Sequence, residues 1–600
     1  MSETNGKTGA EDIRWDLSDL YNSVDDPQIN TDLEDAQRRA DAFAVQYREK
    51  VATLSADELK VAIEEYENIW ELMAQVGSYA NLIWTTDTLD KDYGRLLARA
   101  QQENAALDQK LVFFSLEWMD VSDEVAKIAE APTLSNYRHY LEVTRLSAPY
   151  ALSEKEEKVI SELDLTGVNA WGRYLGEVLG AARFELDGKA LTQSELLNYT
   201  YSPDRELRER AAESFTEGLK KLSHTTTYVF NQIATNKRSM DKLRGYPTWI
   251  SSRNLSNQTD DATVETLIES VTSRYDIVAQ YYDLTRRLLG YDELFEYDRY
   301  APILDESLTV QWDDARDLIL DSFNAFHPNM ASIAGLFFEK NWIDAATAPN
   351  KRGGAYSARA VPSAHPYIFM NYTGQGRSVM TLAHELGHGI HQYLSRDRGF
   401  LQQSTPLTTA EMASTFGEML VFDALMAQVD DPKVRLSMRI DKIGNTFATV
   451  FRQISMNRFE DALHTAARSE GELTTERISQ LWMETQRPMF GDSVTLRDDY
   501  SLWWSYIPHF IGVPGYVYAY AFGELLVWSL YAHYKGGADN FADKYINVLS
   551  QGGSVWPHEL LAPLDIDLKD PNFWHDGLDQ MQLMVDLAEE EASALEFRVR

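Results

Sequence analysis

Apolar residues recur at three- and four-residue spacing through most of this chain, with charged residues between them. A period near 3.6 residues buries its apolar side as an amphipathic helix, so the pattern predicts a mainly α protein. The runs that carry it are 33–49, 56–83, 91–119, 121–145 and 152–164, then 203–243 and 260–288, and proline is scarce inside them. Ser55-Ala56-Asp57-Glu58 has the spacing of a capping box that opens one helix. Two stretches depart from the pattern. Residues 165–200 carry glycines, an Asp187-Gly188 pair and short β-prone runs, and read as a connector or small insert. Residues 348–376 place Gly and Pro around the apolar run Tyr367-Ile368-Phe369-Met370, which reads as a strand. Helical pattern returns at Ser378 and dominates to the end.

The 600 residues include no cysteine. That excludes disulfides, Cys-ligated metal and a thiol nucleophile. Asp plus Glu number 93 against 56 Lys plus Arg, a formal net charge of −37. Such a surface repels a phosphate backbone, so nucleic acid is not expected as a partner. With 20 Lys and 36 Arg, the charge pattern reads either as a surface adapted to high salt or as an ordinary acidic cytosolic protein. The stretch MSETNGKTGAEDIRWDL has no apolar core of a signal peptide, and a cytoplasmic location is expected. Leu502–Gly523 runs 22 residues without Lys, Arg, Asp or Glu, long enough to span a bilayer. It contains Pro508, Gly512, Pro514 and Gly515, whose freed backbone groups lipid cannot satisfy, so it reads as a buried loop followed by a helix and no membrane partner is expected.

Residues 384–388 read His384-Glu385-Leu386-Gly387-His388. On a helix, positions i and i+4 share a face, so two imidazoles can bind one zinc ion while Glu385 reaches the attacking water as general base. Gly387 and Gly389 each cost about 1 kcal/mol inside a helix, which points to a close approach by a metal site or another backbone. His391 lies a further turn on, about 4.5 Å beyond His388 by helical rise, and reads as a supporting or structural residue. A third ligand is sought in Thr408–Glu418, where Glu411 and Glu418 are seven apart on one expected helix. Glu411 could equally complete a capping box with Thr408, and Glu418 could be a solvated charge; spacing does not separate these readings.

These residues resemble the M3 metallopeptidases, in particular the oligoendopeptidase F branch. The resemblance is carried by Trp15-Asp16-Leu17-Ser18-Asp19-Leu20-Tyr21, Gly353-Gly354-Ala355-Tyr356-Ser357, Pro366 to Gly374 and Met380 to His388. It implies a mainly α, large two-lobed metallopeptidase with a deep central channel and a small β element beside the zinc helix. It implies one zinc ion held by His384, His388 and Glu411, with Glu385 as the base and Glu418 orienting a ligand. Oligopeptides are the expected substrates, cut at internal bonds. Pro508-His509-Phe510 and Tyr516-Val517-Tyr518-Ala519-Tyr520 resemble the family's substrate-facing loop and helix, so His509 with Tyr516 or Tyr520 is expected to meet the developing oxyanion. Tyr516 and Tyr520 are expected on one helix face, with Tyr518 pointing away. The strand at 367–371 is expected to pair with the substrate backbone. The expected organisation is a helical region at 1–110, a helical subdomain with connector at 111–200, and the zinc metallopeptidase catalytic domain at 201–600. Two other readings stand beside this one: a carboxypeptidase-like exopeptidase using Arg377 or Arg352 to hold a free C-terminus, and a helical scaffold keeping structural zinc through a fourth ligand. Monomer and dimer both remain open.

The charge excess makes a prediction of its own. The Debye length falls from about 30 Å at 0.01 M salt to about 3 Å at 1 M, which removes most repulsion between exposed carboxylates. The melting temperature should therefore rise over that range at constant pH and free zinc. A flat or falling series in NaCl and KCl would show the charge excess to be incidental.

Overall fold

A computed structural model of the chain describes residues 7–164, 166–303 and 308–595. The first six residues of the N-terminal stretch lie outside the described residues. The protein is mainly α, with two small sheets among the described residues. Packing divides the chain into two compact units. The first comprises Met1–Pro149, Ser307–Gln428 and His533–Asp567; the second comprises Tyr150–Glu306, Val429–Ala532 and Leu568–Arg600. Each unit is assembled from three separated stretches, so packing and sequence order cut the chain differently.

Helices Ala56–Thr86, Lys91–Asp120 and Arg205–Arg244 follow the apolar runs closely. Ser55 Oγ accepts the Glu58 N–H at 3.3 Å while Glu58 accepts the Ser55 N–H at 2.8 Å, so the capping box is formed. The first helix, Pro27–Tyr47, starts ahead of its apolar run because Asp26 caps it and Pro27 occupies its first turn. Three expectations are corrected. Residues 121–145 are not one helix: Ser122 opens the short helix Asp123–Ala126, Pro132 can donate no N–H, and regular helix resumes only at Arg138–Arg145. The 260–288 run is two helices, Asp261–Thr272 and Tyr275–Leu289. At their junction the Ser270, Thr272 and Ser273 hydroxyls donate to the carbonyls of Thr266, Ile268 and Ser270, competing with the helix's own bonds. The 165–200 connector contains a helix, Val168–Ala181, whose Leu175, Val168, Trp171 and Leu179 pack on the second unit's core. It also contains the hairpin of β1 (Phe184–Leu186) and β2 (Lys189–Leu191), turned by Asp187 at φ 50° and Gly188 at φ 78°.

The first unit builds its sheet from β3 (Ile343–Asp344), β4 (Tyr356–Ala358) and β5 (Tyr367–Phe369), in the order β3-β5-β4. β5 is parallel to β3 and antiparallel to β4. The expected strand therefore exists, but both of its edges are already paired. It cannot offer an edge to a substrate; β3 and β4 are the two edge strands. Buried Lys351 ties this region together, donating to Asp344 Oδ1 at 2.5 Å and to the Met370 carbonyl at 2.7 Å. Trp15 packs its ring 5.7 Å from that of Phe369 on β5. The helix Gly376–Ser395, which carries residues 384–388, packs on β4, on β5 and most extensively on the helix Met412–Gln428.

In the second unit, the uncharged stretch 502–523 forms 3₁₀ turns over Asp498–Tyr506, a short helix His509–Gly512, a turn with Gly515 at φ 77°, and the start of the helix Tyr518–Lys535. No helix among the described residues is long and apolar enough to cross a membrane. Tyr516 lies in the turn, ahead of the helix that contains Tyr520, so the expectation of one shared helix face is corrected: Gly515 ends any helical path between His509 and Tyr518. The turn is fastened from below by Glu460 on the helix Phe451–Ser469, whose Oε1 accepts the Gly515 N–H at 2.8 Å. Glu460 is buried and its Oε2 has no partner. Burial pushes its pKa up to about 8, against the smaller opposing effects of the Gly515 N–H and Arg253.

This buried acid makes stability depend on pH. In the unfolded chain Glu460 ionises near its ordinary value of 4.5, whereas in the fold it keeps its proton to about 8. The folded state thus binds more protons between those limits, and its stability falls as pH rises through them, by at most about 1.4 kcal/mol per unit from this group. Glu460→Gln keeps an acceptor for Gly515 and removes the ionisation. The variant's melting temperature should gain on the parent steadily from pH 5 to pH 8; parallel curves would refute the assignment.

Candidate metal centre

The helix Gly376–Ser395 presents His384 and His388 one turn apart, with their rings 4.9 Å between centroids. Glu411 comes to them from a break in the chain. The short helix Leu407–Ala410 ends at Glu411 and the next begins at Met412, so Glu411 and Glu418 are not on one continuous helix, as the spacing led one to expect. The capping-box alternative is also corrected: Pro406, not Thr408, occupies the N-cap of Leu407–Ala410. Glu411 Oε2 lies 3.4 Å from His384 Nε2 and 3.3 Å from His388 Nε2. Ser414 Oγ donates to the same oxygen at 2.7 Å. Nothing in the reading of the sequence singled out Ser414, although its place three residues after Glu411 is the spacing of a helical neighbour.

The ligand atoms of His384, His388 and Glu411 all lie within 4.8 Å of one another. Two nitrogens and a carboxylate oxygen bound at about 2.0–2.1 Å in a tetrahedron would stand about 3.3–3.4 Å apart. The His–Glu separations have that length, so the residues present fit a zinc ion. The group has three members among the described residues, which leaves a fourth position for water or substrate. On its other edge, His384 Nδ1 faces Glu418 Oε2 at 3.4 Å. A carboxylate there fixes the ring's orientation.

Electrostatics follow from burial and pairing. Burial disfavours a charged His384, but Glu418, Glu411 and Glu385 outweigh it and raise the imidazole pKa to about 9. Burial likewise opposes the Glu411 carboxylate, and His388 and His384 outweigh it, lowering it to about 2. Glu385 is raised, chiefly by burial. Its Oε2 is buried without a partner. His391 is buried and held neutral, down to about 3, by burial and by His388. It lines the site's cavity but stands outside the three-membered group.

Glycine explains how the two helices come so close. A Cβ on Gly387 would lie 2.3 Å from the Ala413 carbonyl oxygen and 2.6 Å from Ser414 Cα. At Gly389 it would lie 2.6 Å from Phe337 Cζ. The site opens into a cavity of about 990 Å³, also lined by Ala355–Ala360 of and around β4. Arg352 and Arg377 are exposed and do not line it.

His509, Tyr516 and Tyr520 form a cluster of their own in the second unit. His509 Nε2 lies 3.2 Å from the Tyr520 hydroxyl, and its ring stacks 6.2 Å from that of Tyr516. The Tyr516 and Tyr520 rings meet edge to face at 5.0 Å. Tyr518 is different: it is buried, and its hydroxyl donates to Asn254 at 2.8 Å and accepts from Asn257 at 2.9 Å. That hydroxyl is committed to the fold.

Comparison with known proteins agrees with this chemistry. The model of Peptidase family M3 matches residues 198–580, and that of Oligopeptidase F matches residues 117–184. Oligopeptidase PepF of Bacillus subtilis is 26% identical over 592 residues, covering 96% of this chain and 87% of that protein. An oligoendopeptidase F homolog of Borreliella burgdorferi is 25% identical, covering 93% and 94%. The crystal structure of oligoendopeptidase-F from Enterococcus faecium superposes with a TM-score of 0.69 at 21% identity, covering 94% of this chain and 98% of that one. With most of its length matched by the family model and a fold that brings a His-Glu-x-x-His segment against Glu411, the chain belongs to peptidase family M3 and is a peptidase.

Proposed function

We propose that the protein is a zinc-dependent endopeptidase that cuts internal bonds of short oligopeptides. The observation that carries this reading is the convergence of His384, His388 and Glu411 beside Glu385, whose free oxygen is held in the same cavity. His384, His388 and Glu411 would hold the ion. Bound there, zinc supplies Lewis acidity and lowers the pKa of a coordinated water. Glu418 holds the His384 ring and Ser414 holds the Glu411 carboxylate, so both ligands are oriented in advance. Glu385 takes the proton of the attacking water and passes it to the leaving amine. The peptide lies along the outer edge of β4, where backbone pairing gives affinity with little dependence on side chains. The cluster of His509, Tyr516 and Tyr520 carries N–H and O–H donors of the kind that an oxyanion needs, since that oxygen carries more charge in the transition state than the carbonyl does in the substrate.

Mass-spectrometric analysis of the products from a blocked peptide library, with metal content measured on the same sample, tests the reading as a whole. Cleavage only at chain ends, or none at stoichiometric zinc, would overturn it. Two variants separate the roles. Glu385→Gln should bind zinc like the parent and lose several orders of magnitude in kcat, since the base is not a ligand. Near-parental turnover would remove Glu385 from the mechanism. Glu411→Ala should lose the ion itself at free zinc concentrations that saturate the parent. Equal zinc affinity in the two proteins would show that another group is the third ligand.

A further inference from the structure

The cavity holds a cation that neither the fold nor the mechanism uses. Arg359 directly follows β4, and among the described residues lining the cavity it is the only Lys or Arg. Its guanidinium makes no hydrogen bond or ion pair with any described residue. The ordinary explanation is a solvated surface arginine, with bulk water around it. Arg359 is exposed to water and lines the cavity, and desolvation by the protein around it lowers its pKa. A cation so placed has lost part of its hydration and gained no partner in return.

The backbone fixes where that side chain leaves the strand. Ala360, the next residue, is buried with φ 53°, a left-handed conformation that a Cβ disfavours. Ser357, two residues earlier, has its backbone against the Glu385 carboxylate and exchanges hydrogen bonds with Gln392 through Oγ at 2.9 Å and its carbonyl at 3.3 Å. Two residues of strand span about 7 Å. Arg359 therefore leaves the chain about 7 Å along from the residue at the base, just past the C-terminal end of β4.

We propose that Arg359 is a carboxylate-binding subsite of the cavity, pairing with a carboxylate of the bound peptide about two to three residues from the scissile bond. The inference rests on the peptidase reading above. A planar guanidinium takes a carboxylate through two parallel N–H···O bonds. The carboxylate comes from an Asp or Glu side chain or from the peptide's C-terminus; which one depends on the direction in which the peptide runs along β4. The subsite gives an otherwise backbone-directed enzyme a preference for acidic peptides despite its own net charge of −37.

The test uses short peptides in isosteric pairs: Asp or Glu against Asn or Gln at successive positions, and a free C-terminus against its amide. For the parent enzyme, kcat/KM should favour the acidic member at one position, or the free terminus, by roughly ten- to a hundredfold. R359Q should lose that preference while cutting the neutral member as the parent does, and with an unchanged melting temperature. R359E should prefer Lys at the position where the parent prefers Glu. A preference that follows an internal residue assigns the side chain, and one that disappears on amidation assigns the terminus; either supports the subsite. Equal kcat/KM within every pair, or a preference that R359Q retains, overturns it while leaving the peptidase reading intact. If the zinc-loaded parent cuts no peptide of either series, the peptidase reading fails first and the subsite with it.

Discussion

The site depends on two helices approaching more closely than side chains allow. Gly387 lies inside the helix that carries His384 and His388, and the backbone of Ala413 and Ser414 occupies the space where its side chain would be. Glycine there costs about 1 kcal/mol of helix propensity. The cost is offset by geometry: only with the backbone of residues 411–414 against this helix can a glutamate side chain reach both imidazoles. On the facing helix a Cβ at Gly417 would press on the Phe323 ring at 3.2 Å but meet the Ala383 carbonyl oxygen at an ordinary 3.5 Å. Packing and ligand placement are thus one constraint, set at Gly387.

The electrostatic consequence runs against burial. His384, Glu385 and Glu411 are each partly desolvated, which disfavours charge, and for His384 and Glu411 the opposite charges nearby win. Three carboxylates around two imidazoles create a field that favours positive charge between them, whether carried by protons or by a cation. The second unit's Glu460 shows the other outcome. It is buried with a backbone N–H and a distant Arg253 as its only support, and burial wins. The difference between the two acids lies in the partners that their helices bring, not in the residue type.

Much of this was legible in the chain. The helical period gave the class, the capping box gave one helix start, and His384 to His388, with Gly387 inside the segment and Gly389 just after it, pointed to a metal-binding pair and to a close approach. The resemblance supplied Glu411, which spacing had left undecided between a ligand and a cap. The misses share a cause. The junction at Ser273-Arg274 is made by hydroxyls that bond their own helix, and periodicity does not register them. The helix Val168–Ala181 was hidden by its glycines, because its stability comes from packing Leu175 into a core assembled from distant segments. The role of the strand at 367–369 depended on sheet order, which no single segment encodes: β5 is central only because β3 and β4 flank it.

The same limit explains Glu411 and Glu418. On one straight helix, residues seven apart point the same way, about 10 Å apart along the axis. The chain breaks at Glu411, which has φ −85° and ψ 0°, outside regular helix on either side. The break frees Glu411 to turn toward Nε2 of His384, while Glu418, still on its helix, meets Nδ1 of the same ring. One imidazole is thereby held from both edges, at 3.4 Å on each. The irregular residue is the one that must supply a ligand; the regular one only has to hold the ring. A seven-residue spacing that looked like a shared face is in the structure a division of labour between the two edges of one ring.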